Sequence, residues 1–173
     1  SILHSIQDVQ INAVDAQGRS TLMLAAAKAL DTVAIQILER RDFTMLNACD
    51  ENGNTVLHTA AKNGLVHLIT RVLGQPSCSV INKVAADGRT VLHWAVLRGG
   101  VQPDEGLRMV NAVLNCPSFT GASLQDNEGC TALHLAASVG DPAIVAVLAG
   151  AVDRTLPNKA GQTAQNVAEL RRD

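Results

Sequence analysis

A short string, GxTxLHxA, recurs along this chain as Gly53, Thr55, Leu57, His58, Ala60, then as Gly88, Thr90, Leu92, His93, Ala95, and again as Gly129, Thr131, Leu133, His134, Ala136. Repetition at a near-fixed period constrains the fold more than any other feature. It means that copies of one small unit stack, because a single unit cannot bury its own apolar face. Degenerate copies flank the complete ones: Gly18, Ser20, Leu22, Met23, Ala25 upstream, and Gly161, Thr163, Gln165, Asn166, Ala168 downstream. The five glycines step by 35, 35, 41 and 32 residues, and six positions before each stands Asn12, Asn47, Asn82, Ser123 or Thr155.

Each position in the string has a physical reading. Ser20, Thr55, Thr90, Thr131 and Thr163 are natural N-caps, whose hydroxyls can accept from unpaired N–H groups of a first helical turn. The glycine two residues earlier suits a turn conformation that a Cβ resists. Leu22, Leu57, Leu92 and Leu133 then point inward, and Ala25, Ala60, Ala95 and Ala136 let neighbouring helices approach closely. Further along each copy before the last a second apolar pattern follows. It pairs Val33-Ala34 with Ile37-Leu38, Leu68-Ile69 with Val72-Leu73, Met109-Val110 with Val113-Leu114, and Ile144-Val145 with Leu148-Ala149. Spacings of three and four place each set on one face of a second helix.

On these residues the chain resembles the ankyrin-repeat family, in which a turn and two helices repeat about every 33 residues. The resemblance implies an all-α solenoid of helix-turn-helix units joined by β-turn hairpin loops. It divides the chain into the end of a preceding repeat (1–14), four repeats (15–49, 50–84, 85–125 and 126–157) and a closing half-repeat (158–173). It further implies that His58, His93 and His134 hydrogen-bond the turn backbone and fasten one unit to the next. The third repeat departs from the pattern by six residues, Gly100 to Glu105, between its two helices. Two-residue expansions elsewhere put Phe43, Cys78 and Phe119 at equivalent positions, as expected of core plugs beneath the loops. Pro76 and Pro117 are placed to end second helices.

The ends follow the logic of a stack, whose terminal units need a polar outer face. Gln165, Asn166 and Glu169 replace the apolar and small residues of the inner copies, and Asp173 closes the half-repeat. At the other end Ile2-Leu3 occupies the place of Ile37-Leu38, so the expectation is a cut from a longer protein, inside a second helix.

Composition narrows the function classes. Lys plus Arg number 14 against 16 Asp plus Glu, a net charge of -2, which argues against a phosphate-backbone binder. No apolar stretch approaches the length of a membrane span, and Ser1 to Gln10 lacks the pattern of a signal peptide. The expectation is an intracellular protein, cytoplasmic or nuclear and monomeric as an isolated domain. Hydrophobic residues make up 47% but aromatics only 2%, namely Phe43, Phe119 and Trp94, so the core must be aliphatic. Cys49, Cys78, Cys116 and Cys130 form no CxxC pair and read as reduced thiols packed as small hydrophobes. The three motif histidines are too dispersed to meet at one metal ion, and His4, with only Asp8 at ligand spacing, and His67 read as surface residues. No nucleophile elbow or phosphate loop occurs, and Asp50, Glu51, Glu105 and Asp141 read as turn or helix-start carboxylates. Neither an enzyme nor a cofactor is expected.

Binding remains. A stacked array presents a concave face of turn tips and first helices, and the resemblance implies that partner contacts lie there. The residues expected to carry them are Arg19, Lys28, Asn54, Lys62, Asn63, Arg89, Trp94, Leu97 and Arg98. Arg19, Lys28, Lys62, Arg89 and Arg98 outnumber Glu51 and Asp87 in this set, so the expected partner is an acidic protein or peptide segment. Trp94 has two readings, a binding anchor sharing a helix side with Leu97 and Arg98 or a filler between helices. The insertion likewise reads as a recognition loop or as tolerated drift. Two further classes stay open: a regulatory domain of a larger enzyme or channel, and a transcription regulator resembling the inhibitor-of-kappa-B branch.

Overall fold

The computed structural model describes residues 10–171; the expectations for Ile2-Leu3, for His4 with Asp8 and for Asp173 lie outside the described residues. Helices come in pairs: α1 (Thr21–Ala27) with α2 (Asp31–Leu38), α3 (Val56–Asn63) with α4 (Val66–Leu73), α5 (Val91–Gly99) with α6 (Pro103–Leu114), and α7 (Ala132–Val139) with α8 (Pro142–Ala149). A single helix, α9 (Ala164–Leu170), follows. First helices α1, α3, α5, α7 and α9 pack in series as one layer, and second helices α2, α4, α6 and α8 pack in series as another. The all-α solenoid read from the sequence is what the chain forms.

The motif residues do the work their chemistry suggested. Ser20, Thr55, Thr90, Thr131 and Thr163 are the N-caps of the five first helices. Leu22, Leu57, Leu92 and Leu133 are buried, and so are Ala25, Ala60, Ala95 and Ala136. The hairpin glycines all take a positive φ, from 73° at Gly53 to 78° at Gly88. At Gly88 a Cβ would also run into the backbone of Asn127, because successive hairpins pack backbone to backbone.

Adjacent hairpins are joined by one main-chain hydrogen bond each. The N–H groups of Glu51, Ala86, Asn127 and Lys159 donate to the carbonyls of Gln17, Asn52, Asp87 and Glu128, at 2.7–3.0 Å. Histidine supplies the second fastening. In each complete motif Nδ1 of His58, His93 or His134 faces the cap threonine's N–H at 3.2 Å and its hydroxyl at 2.9 Å. With Nδ1 accepting, Nε2 carries the proton and donates to the next unit's carbonyl: Arg89 at 3.2 Å, Cys130 at 3.1 Å and Gln162 at 3.0 Å. Burial pushes the His58 and His93 imidazoles below their ordinary pKa, which keeps them neutral for this role.

A third fastening was not read from the sequence. Asn12, Asn47 and Asn82 each donate to one loop carbonyl of the following unit, Asp42, Ser77 or Ser118, at 2.7 Å. The same amide accepts from the N–H of Thr44, Ser79 or Thr120 at 2.8–3.0 Å. The recurrence of Asn was visible; that it clamps a loop some thirty residues away was not.

Phe43, Cys78 and Phe119 pack against the core as expected, and Cys116 joins them. Cys49 and Cys130 do not: Cys49 is exposed, in a hairpin bridged to Thr55, and Cys130 is only half-buried, in a later hairpin. The insertion is also not the loop that its position suggested. Only Gly100–Gln102 is irregular, and Pro103, Asp104 and Glu105 form an added first turn of α6, which runs 12 residues where α4 runs 8. Proline at the helix start and two carboxylates at the positive end of the helix dipole explain why this segment is helical.

Candidate binding cleft

Hairpins and first helices of the first three repeats enclose a cleft of about 570 Å³. Its walls bring together Arg19, Asn54, Lys62, Asn63 and Trp94 of the expected contact set, with Met23, Thr59, Asp50 and Asp87 beside them. Lys28, Arg89, Leu97 and Arg98 are not in that lining. Lys28 is the exposed C-cap of α1, one position past cleft residue Ala27.

Trp94 sits at the junction of the second and third repeats, half-buried and packed against the core. The Lys62 ammonium lies 5.1 Å from its ring centroid and the Arg89 guanidinium 5.0 Å, within range for attraction to the ring's negative face. The packing matches the filler reading of Trp94, and the ring also holds two of the chain's own cations at the cleft.

Arg89 reaches the ring because of a change in its own hairpin. In the first repeat Asp15 Oδ1 accepts from the N–H groups of Gln17 and Arg19, and its second oxygen accepts from Arg19 Nε at 2.7 Å. That hydrogen bond holds the Asp15 carboxyl below the usual carboxylate range. Asp50 and Asp126 brace their hairpins in the same way. The third hairpin has Ala85 there. With alanine at position 85 in place of that aspartate, Arg89 lies against Trp94 and 3.5 Å from the buried carboxylate of Asp126 in the next repeat. Asp87 lies 3.9 Å away on its other side.

Pairing revises the cation count. Arg19 is matched by Asp15, Arg89 by Asp126 and Asp87, and Arg98 by Glu105 at 2.8 Å. Among the described residues Lys28 and Lys62 form no ion pair. The expected excess of positive charge does not survive this pairing: Lys28 and Lys62 are the two cations of the set left without an ion pair, and the cleft lining itself balances Arg19 and Lys62 against Asp50 and Asp87. Arg98 also has a structural duty: with Glu105 it fills the space that a Cβ on Gly64 would need. Gly64 is the left-handed C-cap of α3, so the guanidinium lies at the negative end of that helix.

The polar side chains are held in place. Asn54 donates to Asp50, and Asn63 donates to the Thr59 carbonyl at 2.9 Å. His67, read as a surface residue, is exposed and faces Asp31 of the preceding repeat at 3.3 Å. Among the described residues no group of three His, Cys, Asp or Glu side chains is arranged to hold a metal, and no helix is long and apolar enough to cross a membrane.

The family profile for ankyrin repeats (3 copies) matches residues 22–104, and that for a single ankyrin repeat matches residues 128–159. Together they cover more than half of the chain, and the stretch between them holds most of the lengthened α6. None of the curated proteins compared with the chain matches it.

Proposed function

Because the chain belongs to the ankyrin-repeat family, whose domains are generally protein–protein interaction modules, we propose that it binds a segment of a partner protein in the cleft of the first three repeats. The observation that carries this reading is Trp94, half-buried in the cleft wall with Lys62 and Arg89 over its ring. A preformed aromatic with adjoining cations is the composition of a binding hot spot. Stacked repeats hold it without ordering on association, so the flexible member is the partner. Lys62, in the cleft wall and without an ion pair, is the group that meets a carboxylate of that segment. No step of catalysis is involved, and the mechanism is equilibrium binding on a rigid surface.

Trp94 is the only tryptophan, so its fluorescence reports on the cleft directly. Titration with an Asp/Glu-rich peptide is expected to shift its emission, with an affinity that falls as salt rises. Lys62→Glu should abolish the response. Binding that leaves Trp94 emission unchanged and is indifferent to Lys62→Glu would put the contact surface elsewhere.

A further inference from the structure

The hairpins are braced alike with one exception, and the exception stands in the cleft wall. A side-chain oxygen of Asp15, Asp50, Asp126 and Asn158 accepts from the N–H groups two and four residues further on, at 2.8–3.0 Å. The third hairpin keeps the same main-chain hydrogen bonds: the Ala85 N–H donates to the Arg89 carbonyl and the Gly88 N–H to the Ala85 carbonyl, both at 2.9 Å. Its side chain at position 85, however, is a methyl group and accepts nothing. Asp87 turns its own Oδ1 onto the Arg89 N–H at 3.0 Å. The Asp87 N–H, the other donor of the pair, meets no acceptor among the described residues. Ala85 and Asp87 both line the cleft. A position that breaks a rule kept by the rest of a molecule, and breaks it in the candidate site, is expected where binding outweighs stability.

We propose that the third hairpin is an amide subsite of the cleft, where an Asn or Gln side chain of the partner segment supplies the acceptor that Ala85 lacks. The inference rests on the reading of the cleft as the partner site. The other hairpins show which groups suit this place: three carboxylates and the amide of Asn158. Charge decides between them. Asp50 and Asp87 already balance Arg19 and Lys62 in the lining, and an entering carboxylate would stand beside that of Asp87, which serves the same hairpin. A neutral amide meets no such repulsion. Its oxygen accepts from the Asp87 N–H, and its NH2 has the Asp87 carboxylate to donate to, since Oδ2 there is 3.9 Å from the Arg89 guanidinium and outside hydrogen-bond length. The fifth hairpin is the precedent within the chain. Asn158 Oδ1 accepts from the N–H groups of Ala160 and Gln162 at 3.0 Å while its Nδ2 donates to Gln162 Oε1 at 3.4 Å. The carboxylate that meets Lys62 and the amide that meets the third hairpin are thus two side chains of one segment.

The test is selection of a random dodecapeptide library displayed on phage, run in parallel on the wild-type chain, Ala85→Asn and Lys62→Glu. Ala85→Asn gives the third hairpin the brace of the fifth, so its urea midpoint should stand at or above that of the wild type. A lower midpoint means that the place does not take an amide, and overturns the subsite. The wild type is expected to enrich Asn or Gln at a fixed distance from an acidic residue. Ala85→Asn should keep the acidic residue, lose the Asn or Gln, and bind the wild-type consensus peptide about tenfold more weakly. A wild-type consensus without Asn or Gln, or one that Ala85→Asn retains, overturns the subsite, while the cleft reading stands if Lys62→Glu loses the acidic residue. An acidic residue retained by Lys62→Glu, or no consensus on the wild type, overturns both.

Discussion

Ala29→Gly should make the protein more stable, although it removes a methyl group and no contact is gained. The residue that follows the end of α1 takes φ 54°, the only positive φ at a non-glycine position among those described. The equivalent places after α3 and α7 hold Gly64 and Gly140, at φ 75° and 77°. The hydrogen bonding is the same at both helix ends. Ala29 and Leu30 donate to the carbonyls of Ala26 and Ala25, as Gly64 and Leu65 donate to those of Ala61 and Ala60. The first repeat thus keeps the left-handed cap with the wrong residue type. An L-residue in that region costs roughly 1–2 kcal/mol. Glycine's greater freedom in the unfolded chain returns roughly 0.4–1 kcal/mol of this. The net gain should be about 0.5–1 kcal/mol, which for a chain of this size raises the Tm by about 1–4 °C. Urea titration followed by circular dichroism measures it, with Ala27→Gly, inside α1, as the control that should lose up to about 1 kcal/mol. If Ala29→Gly is no more stable than the wild type, the strain assigned to this cap is absent and the argument fails.

Other consequences can be checked in the same way. Gly88→Ala forces a Cβ into φ 78° and onto the Asn127 backbone, and should cost at least about 2 kcal/mol in a urea melt. His93→Ala leaves the Cys130 carbonyl and the Thr90 N–H without their buried partner; a loss of roughly 2–4 kcal/mol is expected. Stability should also fall with acid. Because burial depresses the His58 and His93 pKa values below the ordinary 6.5, the unfolded chain binds more protons, and the stability present above about pH 6.5 is lost progressively as pH drops below it. Urea melts between pH 8 and pH 5 follow this, and a His58→Gln, His93→Gln variant should show a shallower dependence.

The fold was legible because the motif encodes local chemistry. A hydroxyl at the cap, a glycine at the turn and an alanine at the contact each act within a few residues, so their recurrence at Thr55, Thr90 and Thr131 was enough to place the helices. Even the histidine fastening followed from resemblance, since the ring sits three residues from its cap. What stayed hidden depends on distant partners. Nothing beside Arg98 in the sequence marks Gly64 as its neighbour, and pairing with Glu105 needs the added turn of α6 to bring the carboxylate back. Arg89 looked equivalent to Arg19, yet Ala85 in place of an aspartate sends it to a ring and a carboxylate on other units. Charge counting along a string treats all five cations alike, whereas the structure leaves Lys28 and Lys62 unmatched. The insertion misled for a related reason: a segment opened by glycines reads as loop until Pro103 and the two acids after it are seen as a helix start.

The central claim is that the partner lies in the cleft of hairpins and first helices. Hydrogen–deuterium exchange of the chain, alone and with the Asp/Glu-rich peptide, tests this most directly. The expected result is slowed exchange in the hairpins around Asp50–Asn54 and Ala85–Arg89 and in α3 and α5, with α4 and α6 unchanged. Slowed exchange confined to the second helices, α2, α4, α6 and α8, would put the partner on the opposite face and contradict the account.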